Sequence, residues 1–372
     1  MKRVLVIATA ANEGGALSIL IQFINSAIED LYYTFLVDES VIEFLPKKRN
    51  INYIAFPRKN ILKRLCFDLF EVKKIINSSR SDVCFNLQNV PVRTKVKQIV
   101  YMHQPIPFTD LRRLRIKLNA TIFFYKYLYF SLIKINNRYA YSYIVQTEWL
   151  KRRLSSKLKI KNKDILVFKP LVEIFSTNAL SNKKNEMLSN YDKSFDFIYP
   201  ASAISYKNHE FLIEVFSQLD KEWLHKYNVK LYLTIQNETI KKKVYSLGLN
   251  NIVFFVGYLN RDKVFNLYSQ ASALIFPSLI ETYGLPLIEA AYFNLPVVTV
   301  DLDYAKEVLS DYKKVLFCDV NNVKQWSDAI VHIVESGFSA DCDGFSNLND
   351  EWFNLHHYIL KEAKISQLHS PK

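Results

Sequence analysis

Two glutamates with seven residues between them, Glu281 and Glu289, are the strongest chemical feature of the chain. In the run Phe276-Pro-Ser-Leu-Ile-Glu281-Thr282-Tyr283-Gly284-Leu285-Pro286-Leu-Ile-Glu289, a strand-like segment enters a loop and turns at Gly284. It then opens a helix with Pro286 in its first turn, a position that suits proline. Backbone amides over 284–287 would face the strand end as an anion site. A carboxylate such as Glu289 can accept hydrogen bonds from two neighbouring hydroxyls. Carboxylates for a vicinal diol beside amides for phosphate fit a sugar nucleotide.

Three other segments carry residues of the same kind. The loop Ala10–Gly15 puts Gly14 and Gly15 between a strand and a helix, where a backbone can approach a phosphate or a sugar closely. His103, in Val100-Tyr-Met-His103-Gln-Pro, ends a strand and could hydrogen-bond a substrate hydroxyl or move a proton. Lys207, in Tyr199-Pro-Ala-Ser202-Ala-Ile-Ser-Tyr-Lys207-Asn208, falls just before a helix start, where an ammonium beside helix amides suits a diphosphate.

The elements that must position these groups alternate strictly. Strands are read near Val4–Thr9, Thr34–Val37, Ile51–Ala55, Val83–Asn86, Ile99–Met102, Tyr143–Gln146 and Ile165–Phe168, and again near Phe195–Tyr199, Lys230–Ile235, Ile252–Val256, Ala273–Phe276, Val297–Val300 and Leu316–Cys318. Apolar residues at helical spacing lie between them, as at Leu17, Leu20, Ile21, Ile24 and Ile28. Helices are read over His209–Leu219, Thr239–Leu247, Asp262–Gln270, Pro286–Tyr292 and Val323–Val334. Such alternation implies right-handed crossovers and parallel sheets, with ligands outside the carboxyl ends of the strands. The pattern restarts near 195 after a polar stretch. The expected organisation is a first α/β domain over 1–175, a linker over 176–194 and a second α/β domain over 195–345. A terminal segment, 346–372, would carry a helix that packs back across the domains.

Composition excludes several classes. The chain has 372 residues, 49% of them hydrophobic and 23% charged, which is ample for packed cores and rules out disorder. Only 7 are glycine, so each glycine in a turn is informative. The net charge of +13 is uneven: +6 over 1–108, +11 over 109–165 and −4 over 166–372. In the central stretch Arg112, Arg113, Arg115 and Lys117 precede an aromatic run containing Phe123, Phe124, Tyr125, Tyr127, Tyr129 and Phe130. Cations interleaved with aromatics suggest a face for anionic lipid rather than nucleic acid. The four cysteines form no CxxC pair, so neither a zinc knuckle nor a redox motif is expected. Neither a signal peptide nor a run of about 18 apolar residues is apparent, which predicts a cytoplasmic protein, soluble or peripheral on a membrane.

The stretch FPSLIETYGLPLIEAAYFNLPVV resembles the donor-site signature of the retaining family-4 glycosyltransferases. VFFVGYLNRDKVFNLYSQASALIFPS and IYPASAISYKNHEFLIEVF are similar to the segments that precede it in that family. The resemblance covers roughly 195–335 and is weaker before it. It implies a GT-B fold: two Rossmann-like, doubly wound domains facing a central cleft, with the nucleotide-sugar donor mainly on the second. By position, Glu289 would hold the ribose diol and Glu281 the transferred sugar. Lys207 would steady the diphosphate, with Ser202, Thr282, Tyr283, Gly284 and Leu285 around it. The Gly14–Gly15 turn would close over the donor, and His103 would meet the sugar from the acceptor side. The catalytic set implied is His103, Lys207 and Glu281.

The resemblance further implies a UDP- or GDP-sugar donor, a lipid-linked or oligosaccharide acceptor in bacterial O-antigen, capsule or lipopolysaccharide synthesis, and an anionic inner-membrane surface as partner. It implies no metal or other cofactor and no nucleic acid. Where the family commonly has Gly-Arg, this chain has Ala201-Ser202, which removes one phosphate cation; Arg261 could replace it. The family's glycine before the Pro-Val strand is Asn294, and asparagine tolerates a left-handed backbone. The alternatives are a non-catalytic binder of nucleotide sugars or polyanions, for which the missing arginine speaks, and a GT-B epimerase acting on a sugar nucleotide without an acceptor.

Overall fold

The computed structural model describes residues 1–56, 71–116, 119–170, 194–336 and 351–365. The chain divides into two units. The first comprises Met1–Asp110, Lys117–Leu171 and Leu348–Lys372, and the second comprises Leu111–Ile116 and Val172–Asn347.

The first unit is built on a seven-stranded parallel sheet. Its strands are β1 (Lys2–Ala8), β2 (Leu31–Asp38), β3 (Ile51–Phe56), β4 (Val83–Asn86), β5 (Lys97–Tyr101), β6 (Ser142–Val145) and β7 (Ile165–Val167), in the order β3-β2-β1-β4-β5-β6-β7. Helix α1 (Gly14–Asn25) follows β1, α2 (Val72–Ser78) precedes β4, and α3 (Ala120–Phe123) leads through a π-helical turn, Phe124–Tyr129, into α4 (Phe130–Asn136). Helix α5 (Glu148–Leu158) joins β6 to β7. Strands buried on both faces read as continuous apolar runs, which is why Val4–Ala8 and Val83–Phe85 are fully enclosed.

The second unit repeats the plan with six parallel strands: β8 (Phe195–Tyr199), β9 (Val229–Leu233), β10 (Val253–Phe255), β11 (Ala273–Phe276), β12 (Val297–Val300) and β13 (Val315–Cys318), in the order β10-β9-β8-β11-β12-β13. Its helices are α6 (His209–Ser217), α7 (Lys221–Lys226), α8 (Glu238–Ser246), α9 (Arg261–Gln270), α10 (Leu285–Tyr292), α11 (Asp303–Val308) and α12 (Val323–Ser336). Helices α7 and α11 have six residues each, too short to show a full apolar period in the sequence. Asp220 caps α7 by accepting from the Trp223 amide at 2.7 Å.

In each sheet the strand order reverses once, between β1 and β4 and between β8 and β11. A crevice opens at the carboxyl ends of such a pair. Four of the sequence-derived site segments lie there: the Gly14 turn after β1, the Lys207 loop after β8, the Glu281 loop after β11 and, one strand along, His103 after β5.

The terminal helix α13 (Glu351–Ile365) belongs to the first unit. Its Trp352, Leu355, Ile359 and Ala363 join the core formed by β1, β2, β4 and α1. Trp352 meets Phe23 edge-on at 6.0 Å and donates from its indole nitrogen to Gln22 Oε1 at 3.0 Å. Phe23 stacks on Phe85 at 4.7 Å. Buried His356 lies 2.7 Å from the Tyr33 hydroxyl and 3.0 Å from the Phe23 carbonyl, and burial pushes its pKa down to about 3. The expected linker falls outside the described residues except for Ser194.

Candidate active site

In the second unit, the loops after β8 and β11 are tied to each other. The Leu279 amide donates to the Tyr206 carbonyl at 2.8 Å, and the buried Tyr199 and Tyr304 hydroxyls donate to the carbonyls of Lys207 and Ser278. Asn208, at φ +62°, turns the chain from the Ser205–Lys207 turn into α6 and leaves Lys207 at the helix entrance. The result brings Lys207 and Glu281 together: the Lys207 ammonium is ion-paired with Glu281 Oε1. Ser278, fully buried, donates to the same oxygen at 2.7 Å. His209 lies beside this pair against the Tyr199 ring, 4.7 Å between centroids. Burial first, and the neighbouring Lys207 second, push its pKa down to about 4 and keep it neutral.

Gly284 caps α10 at φ +79°, and a Cβ there would come within 3.2 Å of Leu287 Cδ1 and 3.4 Å of Tyr304. Glycine is therefore required by both backbone conformation and space. The anion site is narrower than the sequence suggests. Pro286 has no N–H, and the Leu287 amide donates to the Gly284 carbonyl at 2.9 Å. Of positions 284–287, the amides of Gly284 and Leu285 are the ones left for a phosphate. Thr282 is half-buried and Tyr283 buried in this turn.

Glu289 is only 4% exposed. Burial raises its pKa, and Arg261 opposes that rise from 3.1 Å. Arg261 opens α9, and its guanidinium also lies over the Phe265 ring at 4.8 Å. The arginine expected to stand in for a missing phosphate cation is thus engaged with the second glutamate. Ser202 is exposed in the loop after β8. Asn294 takes φ +57°, a left-handed backbone that asparagine tolerates.

The first unit builds a different patch from amides. After β4, Asn89 Oδ1 accepts from the backbone amides of His103 and Gln104 at 2.6 and 2.9 Å. Asn89 Nδ2 donates to His103 Nε2 at 3.3 Å, an arrangement that leaves the ring proton on Nδ1. Gln88 donates to Thr9 at the end of β1, and the Tyr129 hydroxyl donates to the Gln88 carbonyl. Gly14, at φ +57°, starts α1, and no atom lies within 4 Å of where a Cβ on Gly14 or Gly15 would sit. Asn89 and Ser278 were missed in the sequence, although each lies one to three residues past a strand, where the position alone marks a candidate.

The basic stretch is divided between the two units. Leu111–Ile116 groups with the second unit, where exposed Arg113 and Arg115 line an open depression of about 650 Å³ with Asp301 and Asp319. Arg112 is exposed, and Lys117 lies outside the described residues. In the first unit, half-buried Lys126 donates to the carbonyls of Pro107 and Thr109, so it is turned away from solvent. Phe123, Tyr127, Leu128 and Ile135 are exposed there, with Lys134 and Arg138 beside them. No described helix is long and apolar enough to cross a membrane.

With this geometry in hand, comparison with known proteins is decisive for the second unit. Residues 181–345 match the family Glycosyl transferases group 1. The matched stretch takes in all six strands of the second unit. The O-antigen chain mannosyltransferase RfbU of Salmonella typhimurium is 29% identical over 155 residues, 41% of this chain and 42% of that protein. The chain thus aligns with less than half of that relative. Among solved structures, WaaG, a glycosyltransferase involved in lipopolysaccharide biosynthesis, matches over 100% of both chains with a TM-score of 0.67 at 12% identity. Anabaena HepE in complex with UDP and glucose matches over 100% of both with a TM-score of 0.65 at 14% identity. The two parallel sheets are those of the GT-B fold.

Proposed function

We propose that the chain transfers a sugar from a UDP- or GDP-sugar to a glycan or lipid-linked acceptor of a bacterial surface polysaccharide, with retention of anomeric configuration. The observation that carries this is the meeting of Lys207, Ser278 and Glu281 at the carboxyl ends of β8 and β11, inside the family-matched stretch. An incoming diphosphate takes Lys207 from Glu281 and meets the Gly284 and Leu285 amides. The freed Glu281 carboxylate then accepts from hydroxyls of the transferred sugar, held in place by Ser278. Glu289 accepts from the ribose diol.

In the reaction the bond from the anomeric carbon to the β-phosphate oxygen breaks as the acceptor oxygen bonds to the same face. The acceptor proton passes to a phosphate oxygen, so no covalent enzyme intermediate is needed. The protein contributes position and stabilisation of the leaving diphosphate. In the first unit, His103, oriented by Asn89, offers its imidazole to a sugar hydroxyl. Transfer proceeds without a metal cofactor, so EDTA should leave turnover unchanged.

The exposed Phe123, Tyr127, Leu128 and Ile135, with Lys134 and Arg138, support peripheral contact with an anionic membrane face. Cosedimentation with anionic but not neutral vesicles tests that contact. The purified chain with a panel of UDP- and GDP-sugars, including a mannose donor because of the mannosyltransferase relatives, tests the reaction. Glu281→Gln should abolish donor turnover, and unchanged turnover would refute the assignment. The anomeric signal of the product by NMR reads out retention.

A further inference from the structure

Glu289 presents a problem of charge. Its carboxyl is almost completely enclosed, and a lone carboxylate in such a place takes up a proton instead of staying ionised. A protonated carboxyl accepts fewer hydrogen bonds and recognises a diol poorly. The chain answers with Arg261. This residue begins α9 directly after Asn260, whose side chain accepts from the Lys263 amide at 3.0 Å and fixes the start of the helix. The guanidinium rests on Phe265, one turn further on, and reaches Glu289 Oε1 at 3.1 Å. Tyr268, a further turn along α9 and fully enclosed, donates its hydroxyl to the Pro286 carbonyl at 3.3 Å, with the Glu289 charge nearby.

A carboxylate offers about four acceptor sites. Arg261 stands against Oε1 as an ion pair at 3.1 Å, and the carboxylate keeps acceptor capacity for two vicinal hydroxyls. We infer that Arg261 is a positioning residue for nucleoside recognition: it anchors one side of the buried Glu289 carboxylate so that the other side is presented to the ribose diol of a nucleoside diphosphate. This rests on the reading above that Glu289 meets the ribose. It also changes what Arg261 is for. The sequence pairs it with the absent arginine at position 202, as a second cation for the diphosphate. The structure gives it to the sugar end of the nucleotide, which leaves Lys207 as the diphosphate's cation among the residues described at the site.

The test is calorimetric titration of the full chain with UDP, GDP and their 2′-deoxy forms, comparing the wild type with Arg261→Gln, Arg261→Lys and Glu289→Gln. The wild type should prefer the ribonucleotide over its deoxy form by at least about tenfold, since a site built to pair with a hydroxyl rejects the analogue that lacks it. Arg261→Gln should weaken the ribonucleotide about tenfold and the deoxynucleotide little, so that the preference collapses. Arg261→Lys, which keeps the charge, should restore most of it. In turnover the loss should appear in donor KM, with kcat at saturating donor changed less than threefold.

If Arg261→Gln keeps the full ribose preference, or weakens both nucleotides equally, Arg261 has only a structural part and the inference is overturned. If Glu289→Gln keeps the preference, the ribose assignment of Glu289 fails instead, whatever Arg261 does. Melting of the unliganded variants separates either result from misfolding, because Arg261→Lys keeps the ion pair and reports on the same contact.

Discussion

The two sheets share a plan and differ in what they place at the point where the strand order reverses. In the second unit that point is charged, and the charges are already paired: Lys207 with Glu281 and, on the helices that follow β10 and β11, Arg261 with Glu289. In the first unit it is neutral: Thr9, Gln88, Asn89 and His103 form a network of amides, a hydroxyl and an imidazole. A crevice of paired charges suits a ligand that can exchange with one partner of each pair, as a diphosphate exchanges with Glu281. A crevice of neutral amides suits uncharged hydroxyls. Under the proposed function, the charged crevice takes the nucleotide and the neutral one a carbohydrate.

The largest effect expected concerns the cores on which these crevices stand. Trp352→Ala should destabilise the first unit by ~3–5 kcal/mol, because it leaves a large cavity against Phe23. Nucleotide affinity of the second unit should be unchanged, as calorimetry and titration at low temperature would show. Equal damage to both would break the separation of the units. Next is Lys207→Ala, which should lower kcat by about 10²–10³-fold, the range for losing one charge-stabilising donor. Asn89→Ala, the neutral counterpart, should lower turnover only about tenfold and mainly through acceptor KM. Reversed magnitudes would contradict the comparison.

A third test uses pH. His209 and His356 are held neutral in the folded chain, at about 4 and about 3, against about 6.5 when unfolded. The unfolded chain therefore binds more protons as pH falls below 6.5. Stability is full above that value and is lost downwards through the window to about 4 for His209 and about 3 for His356, by up to about 1.4 kcal/mol per pH unit for each. His356→Gln should flatten the slope of melting temperature against pH below 6, and an unchanged slope would exclude His356 as a source.

The smallest effect separates two asparagines that share a left-handed backbone, Asn294 at φ +57° and Asn89 at φ +66°. Asn294→Gly should shift stability by less than about 1 kcal/mol, because glycine takes the same conformation freely. Asn89→Gly keeps the turn but removes the side chain that orients His103 and accepts from the His103 and Gln104 amides, so turnover should fall and stability should drop by about 1–3 kcal/mol.

Most of the fold was legible because parallel strands covered on both faces leave uninterrupted runs such as Val4–Ala8 and Ala273–Phe276, bounded by polar turns. The two six-residue helices escaped because one and a half turns show no period. In the site, Glu281, Gly284 and Glu289 stood out by spacing, since a turn, a cap and a helix must follow one another in order. Arg261 could be named but not placed, because its partner is 28 positions later and nothing local records which carboxylate it meets. The extent of the amide donors was misjudged over 284–287. Pro286 removes one donor by its chemistry, but the use of the Leu287 amide by Gly284 depends on a backbone turn that only coordinates reveal. Asn89 went unnoticed for a similar reason: what it does is hold a residue 14 positions away.

The last helix has a bearing on how the chain is made. Residues of α13 complete the core that begins with β1, so the unit that leaves the ribosome first has to wait for Ala363 before its interior closes. The second unit, which falls between those segments in the sequence, has all of its strands and described helices by Ser336. During synthesis the order of completion is therefore the reverse of the order of appearance. Over that interval Phe23, Tyr33 and Phe85 lack the cover that Trp352 and His356 later supply, and this is the surface on which a chaperone would be expected to act.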